Sequence, residues 1–271
     1  MSTSTIKEGL TPIGVRENGE IFCLPLEKRP GIMHLFGRAG QGKSATLEDI
    51  IISDIHNSRG GMFIDPYGDL VKDIQTYIPA DKVDKVVVFE ARMGTFKENV
   101  EKFQQEIDFE EMKNDAQKFL LCTLDYRTLG TDGARDLGIY LVKQFLQITS
   151  GENRTLGLDE AHNFINEEVL EKIVLSKEKK LSCVLSDQTS MYYRTDILKR
   201  LLEAANHILC YFTAPEAADL VNKYHPEMST SELLAIEKFS FIAKMNAKTT
   251  SPTVMNLKGV FPIPYPKNIP K

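Results

Sequence analysis

The sequence predicts an α/β fold, with a mostly parallel sheet covered by helices on both faces, and three observations carry that prediction. Short apolar runs of strand length alternate with segments whose apolar residues fall at helical spacing. The glycine-rich stretch GRAGQGKS, residues 37–44, stands between one such run and one such segment. Asn18-Gly19 sits inside GVRENGEIFCLPL, flanked by alternating apolar positions, which is the strongest short signal for a β-hairpin. A small hairpin therefore precedes the core.

In chain order, GIMHLFG holds a buried-strand run from Ile32 to Phe36. ATLEDIIISDIHNSRGG follows, with Leu47, Ile50, Ile51 and Ile55 close to helical spacing, and Gly60-Gly61 stops that helix. GMFID is a second strand, DLVKDIQTYI a helix, and DKVVVFEA a third strand built on Val86, Val87, Val88 and Phe89. Residues 94–118 change character. They are highly charged, with apolar residues thinly spaced at Phe96, Val100, Phe103 and Ile107, which predicts one or two exposed helices. The core resumes with strand FLLCTLD, helix ARDLGIYLVKQFLQI, strand TLGLDEA, helix EEVLEKIVLSKEKK, strand LSCVLSDQ, helix ILKRLLEAAN and strand HILCYFT. APEAADLVNKY and STSELLAIE read as short helices and FSFIAKMN as the final strand. The tail GVFPIPYPKNIPK has four prolines and reads as an extended arm. The organisation expected is a hairpin extension over 1–30, a core over 31–258 with a charged helical insertion at 94–118, and a proline-rich arm over 259–271.

The 271 residues are 42% hydrophobic and 26% charged, which suits one domain with appendages. A net charge of −5 provides no overall positive field, so nucleic acid would have to meet a local basic patch. Cys23, Cys122, Cys183 and Cys210 are scattered through apolar runs without a C-x-x-C pair, which reads as reduced thiols in a cytosolic protein. No stretch approaches the ~18 apolar residues of a membrane span, and MSTSTIKEG lacks the apolar core of a signal peptide. The expected location is cytoplasmic, with any contact to a membrane or virion made through a partner.

GRAGQGKS fits G-x-x-x-x-G-K-[ST], and its strand and helix context is the one that pattern needs. Gly37, Arg38, Ala39, Gly40, Gln41, Gly42, Lys43, Ser44 and Ala45 are the expected cradle for ATP. The glycines let backbone N–H groups face inward at a helix N-terminus, Lys43 reaches the β- and γ-phosphates, and the Ser44 hydroxyl binds Mg²⁺. Such a metal also needs an acidic residue at a strand end. TLGLDEAHNF supplies one: Asp159 closes the strand Leu156-Gly157-Leu158 near Mg²⁺, and Glu160 faces the attacking water as general base. His162 has no second ligand near it in sequence and reads as a polar contact at the edge of the site. VLSDQTS ends a third strand in Asp187, Gln188 and Thr189, where the Gln188 amide is placed to hydrogen-bond the γ-phosphate or the attacking water.

The set FGRAGQGKS, MFIDPYGDLV, LGLDEAHNF and SDQTS, followed by LLEAANHILCYFTAPEAADLV, resembles the HerA/FtsK superfamily of P-loop ATPases. The resemblance is greatest to the TraG-type branch, the coupling ATPases of conjugation and type IV secretion, and runs from about residue 12 to about 262. FIDPYGDL is its most specific part, with Tyr67 standing where relatives have histidine. The resemblance implies a RecA-like core, a hexameric ring, ATP hydrolysed between subunits and DNA moved through a central pore. It also implies that a secretion channel, relaxase or capsid is a further partner, since compact members include genome-packaging ATPases of membrane-containing viruses. TraG-type proteins usually carry N-terminal membrane helices and a sizeable all-α insertion; here no span is present and 94–118 alone stands for the insertion. An arginine finger from a neighbouring subunit is expected at Arg127 or Arg135, in the region where relatives place it. Lys172, Lys177, Lys179 and Lys180, and separately Arg92 and Lys97, are the candidate pore-facing cations. The rival reading is a P-loop regulatory ATPase that acts on protein partners without DNA.

Overall fold

The computed structural model of the chain describes residues 6–149, 153–188, 195–246, 252–260 and 263–267. Thr189 lies outside them. In chain order the elements are β1 (Leu10–Val15), β2 (Ile21–Pro25), β3 (Gly31–Phe36), α1 (Lys43–His56), β4 (Gly61–Asp65), α2 (Asp69–Gln75) and β5 (Val86–Glu90). Then come α3 (Phe96–Glu106), α4 (Phe109–Asn114), β6 (Phe119–Thr123), α5 (Tyr126–Ile148), β7 (Arg154–Leu158), α6 (Glu167–Val174) and β8 (Leu181–Asp187). The last are α7 (Thr195–Ala204), β9 (Ala205–Tyr211), α8 (Pro215–Tyr224), α9 (Thr230–Leu234), β10 (Ser240–Met245) and β11 (Thr253–Lys258).

The described strands form one sheet in the order β2-β1-β11-β10-β9-β3-β8-β7-β4-β6-β5. From β9 to β5 all neighbours are parallel. β10, β11, β1 and β2 extend the sheet with antiparallel pairs. Alternation along each parallel strand feeds two cores. Ile32 and Phe36 of β3, Ile64 of β4 and Leu185 of β8 point into one layer, packed by α5, α6 and α7. Met33, Leu35, Phe63 and Val184 point into the other, packed by α1 and α2. Among the described residues no helix is long and apolar enough to cross a membrane.

Four elements differ from the sequence reading. FSFIAKMN is not the last strand: TVMNLK forms β11, paired along β10 from Ser240 opposite Lys258 to Met245 opposite Thr253. Of β11's side chains only Leu257 is fully buried, which leaves little apolar signal in the sequence. β1 then joins β11 at Val15 opposite Lys258, so the hairpin belongs to the main sheet. The helix expected through Lys180 stops at Val174, because SKEKK has no apolar face to pack; the chain instead turns, with Lys180 at a φ of 55°. α5 starts at Tyr126 and is interrupted by non-helical Gly130 (φ 71°, ψ 163°), so Arg135 lies within the helix and not at its start.

Helix α1 carries two buried carboxyls, Glu48 and Asp49. Burial first and a hydrogen bond with Asp73 second push Glu48 up to about 8, and burial first and the Glu48 charge second push Asp49 up to about 8. The arm crosses this region: the Tyr265 ring lies 4.3 Å from that of His56, and Lys267 Nζ donates to Asp73 Oδ1 at 2.9 Å. Both acids titrate higher in the folded chain than in the unfolded one, so the native state binds more protons between about pH 4 and pH 8. Stability therefore falls as pH rises through that window. Asp49→Asn should leave the melting temperature near wild type at pH 5 and raise it by about 5 °C at pH 8.5. An equal change at both pH values would mean that Asp49 ionises as an ordinary carboxyl.

Candidate nucleotide site

Because β8 lies between β3 and β7, the loops leaving these three strands meet at the C-terminal end of the sheet. The loop after β3 is the glycine-rich stretch. At Gly37 a Cβ would lie 2.7 Å from that of Tyr211, so only glycine lets the loop pass β9. Gly42, with a φ of 108°, adopts a left-handed conformation as it starts α1. Lys43 is the first residue of α1. It is buried, and its Nζ donates to the Arg38 carbonyl at 2.9 Å. Arg38 itself is exposed, with its guanidinium 5.1 Å from the centre of the Phe212 ring.

Burial lowers the pKa of Lys43, while the nearby carboxyls of Glu160, Asp159 and Asp187 act to raise it. Next to Glu160, burial first and the Glu160 charge second push Asp159 up to about 7. Asp159 Oδ1 is buried with no hydrogen-bond partner. Glu160 follows at a left-handed φ of 49° and ψ of 50°, a turn that aims its carboxylate back toward the loop. Gln188, one residue past β8, donates its amide to Glu160 Oε1. Burial raises Glu160 above the ordinary carboxyl value, opposed by the Gln188 hydrogen bond and by His162. The cavity among these groups has a volume of about 280 Å³ and is lined by Ala39, Gly40, Gly42, Lys43, Ser44, Glu160, Gln188 and Phe239. The Ser44 hydroxyl on its wall and, next to Glu160, the orphaned carboxylate oxygen of Asp159 are hard oxygen donors of the kind that suits Mg²⁺, which typically takes one or two protein ligands beside phosphate oxygens.

A second layer holds this constellation in place. Asp187 is fully buried; its Oδ2 lies 2.8 Å from His34 Nε2 on β3, and its Oδ1 accepts from the His162 backbone N–H at 2.8 Å. His162 Nδ1 lies 3.2 Å from the same Oδ1 and 3.7 Å from Glu160 Oε2. One carboxylate thus ties the phosphate-loop strand to the turn that carries Glu160. Asp65, at the end of β4, accepts from the backbone N–H groups of Tyr67, Leu70 and Val71 and so caps α2. That explains FIDPYGDL: its first aspartate builds a turn and does not face the cavity. Tyr67 packs edge-on against Tyr126, with ring centres 5.7 Å apart.

Arg127 and Arg135 are both exposed. Arg127 pairs with Asp125 and reaches the Tyr67 carbonyl. It follows β6, four strands from β3, roughly 19 Å by strand spacing, and so lies outside the cavity of its own chain. The basic sets separate too: Lys177, Lys179 and Lys180 precede β8 at the N-terminal end of the parallel strands, whereas Arg92 and Lys97 follow β5 at the C-terminal end. Lys172 pairs with Glu168, and Lys97 with Glu101.

No protein-family model matches the sequence, and no curated protein matches it. Solved structures do. The unbound bacterial conjugative coupling protein TrwBdeltaN70 aligns with a TM-score of 0.69 at 9% identity, over 97% of this chain and 92% of that one. VirB4 of Thermoanaerobacter pseudethanolicus aligns at 0.66 and 12% identity, over 96% and 99%. The genome packaging NTPase B204 from Sulfolobus turreted icosahedral virus 2, in complex with AMPPCP, aligns at 0.53 and 14%, over 85% and 98%. The chain shares the fold of these nucleotide-binding and coupling proteins. The likeness read in the motifs therefore extends through the fold.

Within that P-loop fold, two residues of the site were not legible in the sequence. His34 is an interior strand residue whose partner, Asp187, is 153 positions away. Phe239 carried no motif; a signal would have been its place just ahead of a strand that follows a capped short helix, with Ser229 and Glu232 making the cap.

Proposed function

We propose that this chain is an ATP-hydrolysing, ring-forming DNA translocase of the HerA/FtsK/TraG type, acting in conjugative transfer or secretion. One observation carries the ATPase part: Lys43, Ser44, Glu160 and Gln188 line a single cavity at the C-terminal end of the parallel strands, with Asp159 beside them. DNA as the cargo is supported by the neighbours, which include a DNA-packaging ATPase and a plasmid coupling protein. In this reading residues 31–258 form the ATPase core, 94–118 its insertion, and 1–30 and 259–271 its appendages. The protein works in the cytoplasm, reaching a membrane or virion through a partner.

Ser44 and Asp159 would hold Mg²⁺, which when bound neutralises charge on the β- and γ-phosphates. The loop N–H groups bind phosphate oxygens, and Lys43 exchanges the Arg38 carbonyl for phosphate. Glu160 takes the proton of the attacking water, and burial, by raising its pKa, makes it a stronger base than an exposed carboxylate. Gln188 fixes the carboxylate that does so. Arg127 or Arg135 of a neighbouring subunit supplies positive charge to the transferring phosphoryl group. A hexamer closes that arrangement.

DNA-stimulated hydrolysis tests the reading. Wild-type specific activity should rise with protein concentration and with DNA of any sequence, and the stimulation should weaken as salt rises. Replacing Lys177, Lys179 and Lys180 by Glu, and separately Arg92 and Lys97, tells which end of the strands faces DNA, since the two sets lie at opposite ends. An arginine-less subunit should regain hydrolysis when mixed with a Lys43→Ala subunit that keeps Arg127 and Arg135. Hydrolysis at full rate by a demonstrated monomer would overturn the ring, and a wild-type ring indifferent to DNA would favour a regulatory ATPase acting on protein partners.

A further inference from the structure

One wall of the nucleotide cavity is used by none of the roles above. Phe239, in the turn between α9 and β10, lines the cavity beside Gly42 of the glycine-rich loop. Its backbone is left-handed, with a φ of 62°, and 45% of its surface is exposed. Both features run against the residue type: bulky side chains avoid that region of backbone space, and large apolar ones are usually covered. Strain of this kind persists only where the surroundings enforce it. Here the Ser240 N–H donates to the Glu237 carbonyl at 3.0 Å, and the Gly259 N–H donates to the Phe239 carbonyl at 2.8 Å. The turn is therefore held from both sides, and it sets the ring against the start of α1: Phe239 Cδ1 lies 3.4 Å from where a Cβ on Gly42 would stand. Lys238 Nζ lies 4.9 Å from the centre of the ring. The other lining residues are loop backbone, Lys43, Ser44, Glu160 and Gln188, all of which suit phosphate, metal or water. Among the described residues that line the cavity, Phe239 is the one aromatic surface.

We propose that the Phe239 ring is the platform on which the base of the bound nucleoside triphosphate stacks. The inference rests on the nucleotide reading of this cavity and adds the group that recognises the other end of the ligand. A planar base offers its face to an aromatic ring whatever its edge pattern, so the platform supplies affinity for a nucleotide over bare polyphosphate. With Lys238 on the ring, the phenyl group is fixed in orientation before the base arrives.

Titration calorimetry of the full chain with ATP and with tripolyphosphate, both in the presence of Mg²⁺, tests this. Phe239→Gly and Phe239→Ala should each raise the Kd for ATP about tenfold, or about 1.4 kcal/mol, and leave the Kd for tripolyphosphate within about twofold of wild type. Phe239→Trp should keep the ATP affinity. Glycine adopts the left-handed turn freely, so the Phe239→Gly chain is expected to fold, and an intact tripolyphosphate isotherm shows that its phosphate loop is formed. Equal losses for both ligands, or a Phe239→Gly chain that binds ATP as wild type does, would overturn the platform while leaving the phosphate site standing. A wild-type chain that binds neither ligand would remove the nucleotide reading, and the platform with it.

Discussion

Glu160→Gln should bind ATP as wild type does and lose about 10²–10⁴-fold in turnover, the range a positioned general base contributes. The amide matches the carboxylate in shape but cannot accept the proton of the attacking water. The surroundings make this a clean substitution. Glu160 is held by the Gln188 amide and by the turn that Asp187 fixes through the His162 N–H, and neither contact requires a negative charge at Glu160 to set the backbone. Single-turnover hydrolysis beside equilibrium ATP binding makes the check. A Glu160→Gln chain that hydrolyses at the wild-type rate would move the base elsewhere on the wall, and the reading of the β7 turn with it.

Lys43→Ala should weaken ATP binding by about 10²-fold, on the order of what hydrogen bonds to charged groups contribute, and abolish measurable hydrolysis. The same substitution has a second signature that does not involve nucleotide. Lys43 opposes the burial that raises Asp159 and Glu160, so both carboxyls should titrate higher without it. Folded carboxyls shifted further up cost stability as pH rises through neutrality. The melting temperature of Lys43→Ala should therefore fall further below wild type at pH 8 than at pH 6. A pH-independent difference would place the Lys43 ammonium too far from those carboxyls to matter.

Local chemistry was legible in the sequence, and what depends on distant partners was not. The proposed phosphate loop is legible in consecutive residues because its job would be done by backbone, and Asp159 and Glu160 stand out because a buried strand ends just before them. Gly42 and Lys43 do lie at the head of a helix, as their spacing required. The order of the strands was beyond reach, since nothing local to GIMHLF or LSCVLSD records that β8 lies between β3 and β7. Glu48 and Asp49 show the limit most plainly. Nothing local in ATLEDIIISDIH says that these two carboxyls are buried, because what covers them is the hairpin and the arm, which are distant in sequence. Strand β11 carries little apolar signal because four of its six residues are exposed, and the charge of SKEKK does not say where helix packing stops.

The interruption of α5 at Gly130 assigns the two arginines to different bodies. Residues 126–129 are tied to the turn after β4, through the Tyr126 N–H to the Pro66 carbonyl and Arg127 to the Tyr67 carbonyl. Beyond Gly130 the helix is anchored by Ala134, Leu137, Leu141 and Phe145 in the layer beneath. Arg127 is therefore coupled to the turn after β4 and Arg135 to the helical layer, with the break at Gly130 between them. In a closed ring, a push from one protomer's γ-phosphate against its neighbour's Arg127 would be delivered to the β4 turn and from there to Asp65 and α2. The same push on Arg135 would load the long helix along its axis. In the ring proposed above, the arginine that touches the phosphate would decide whether the stroke of one subunit bends the next or slides it.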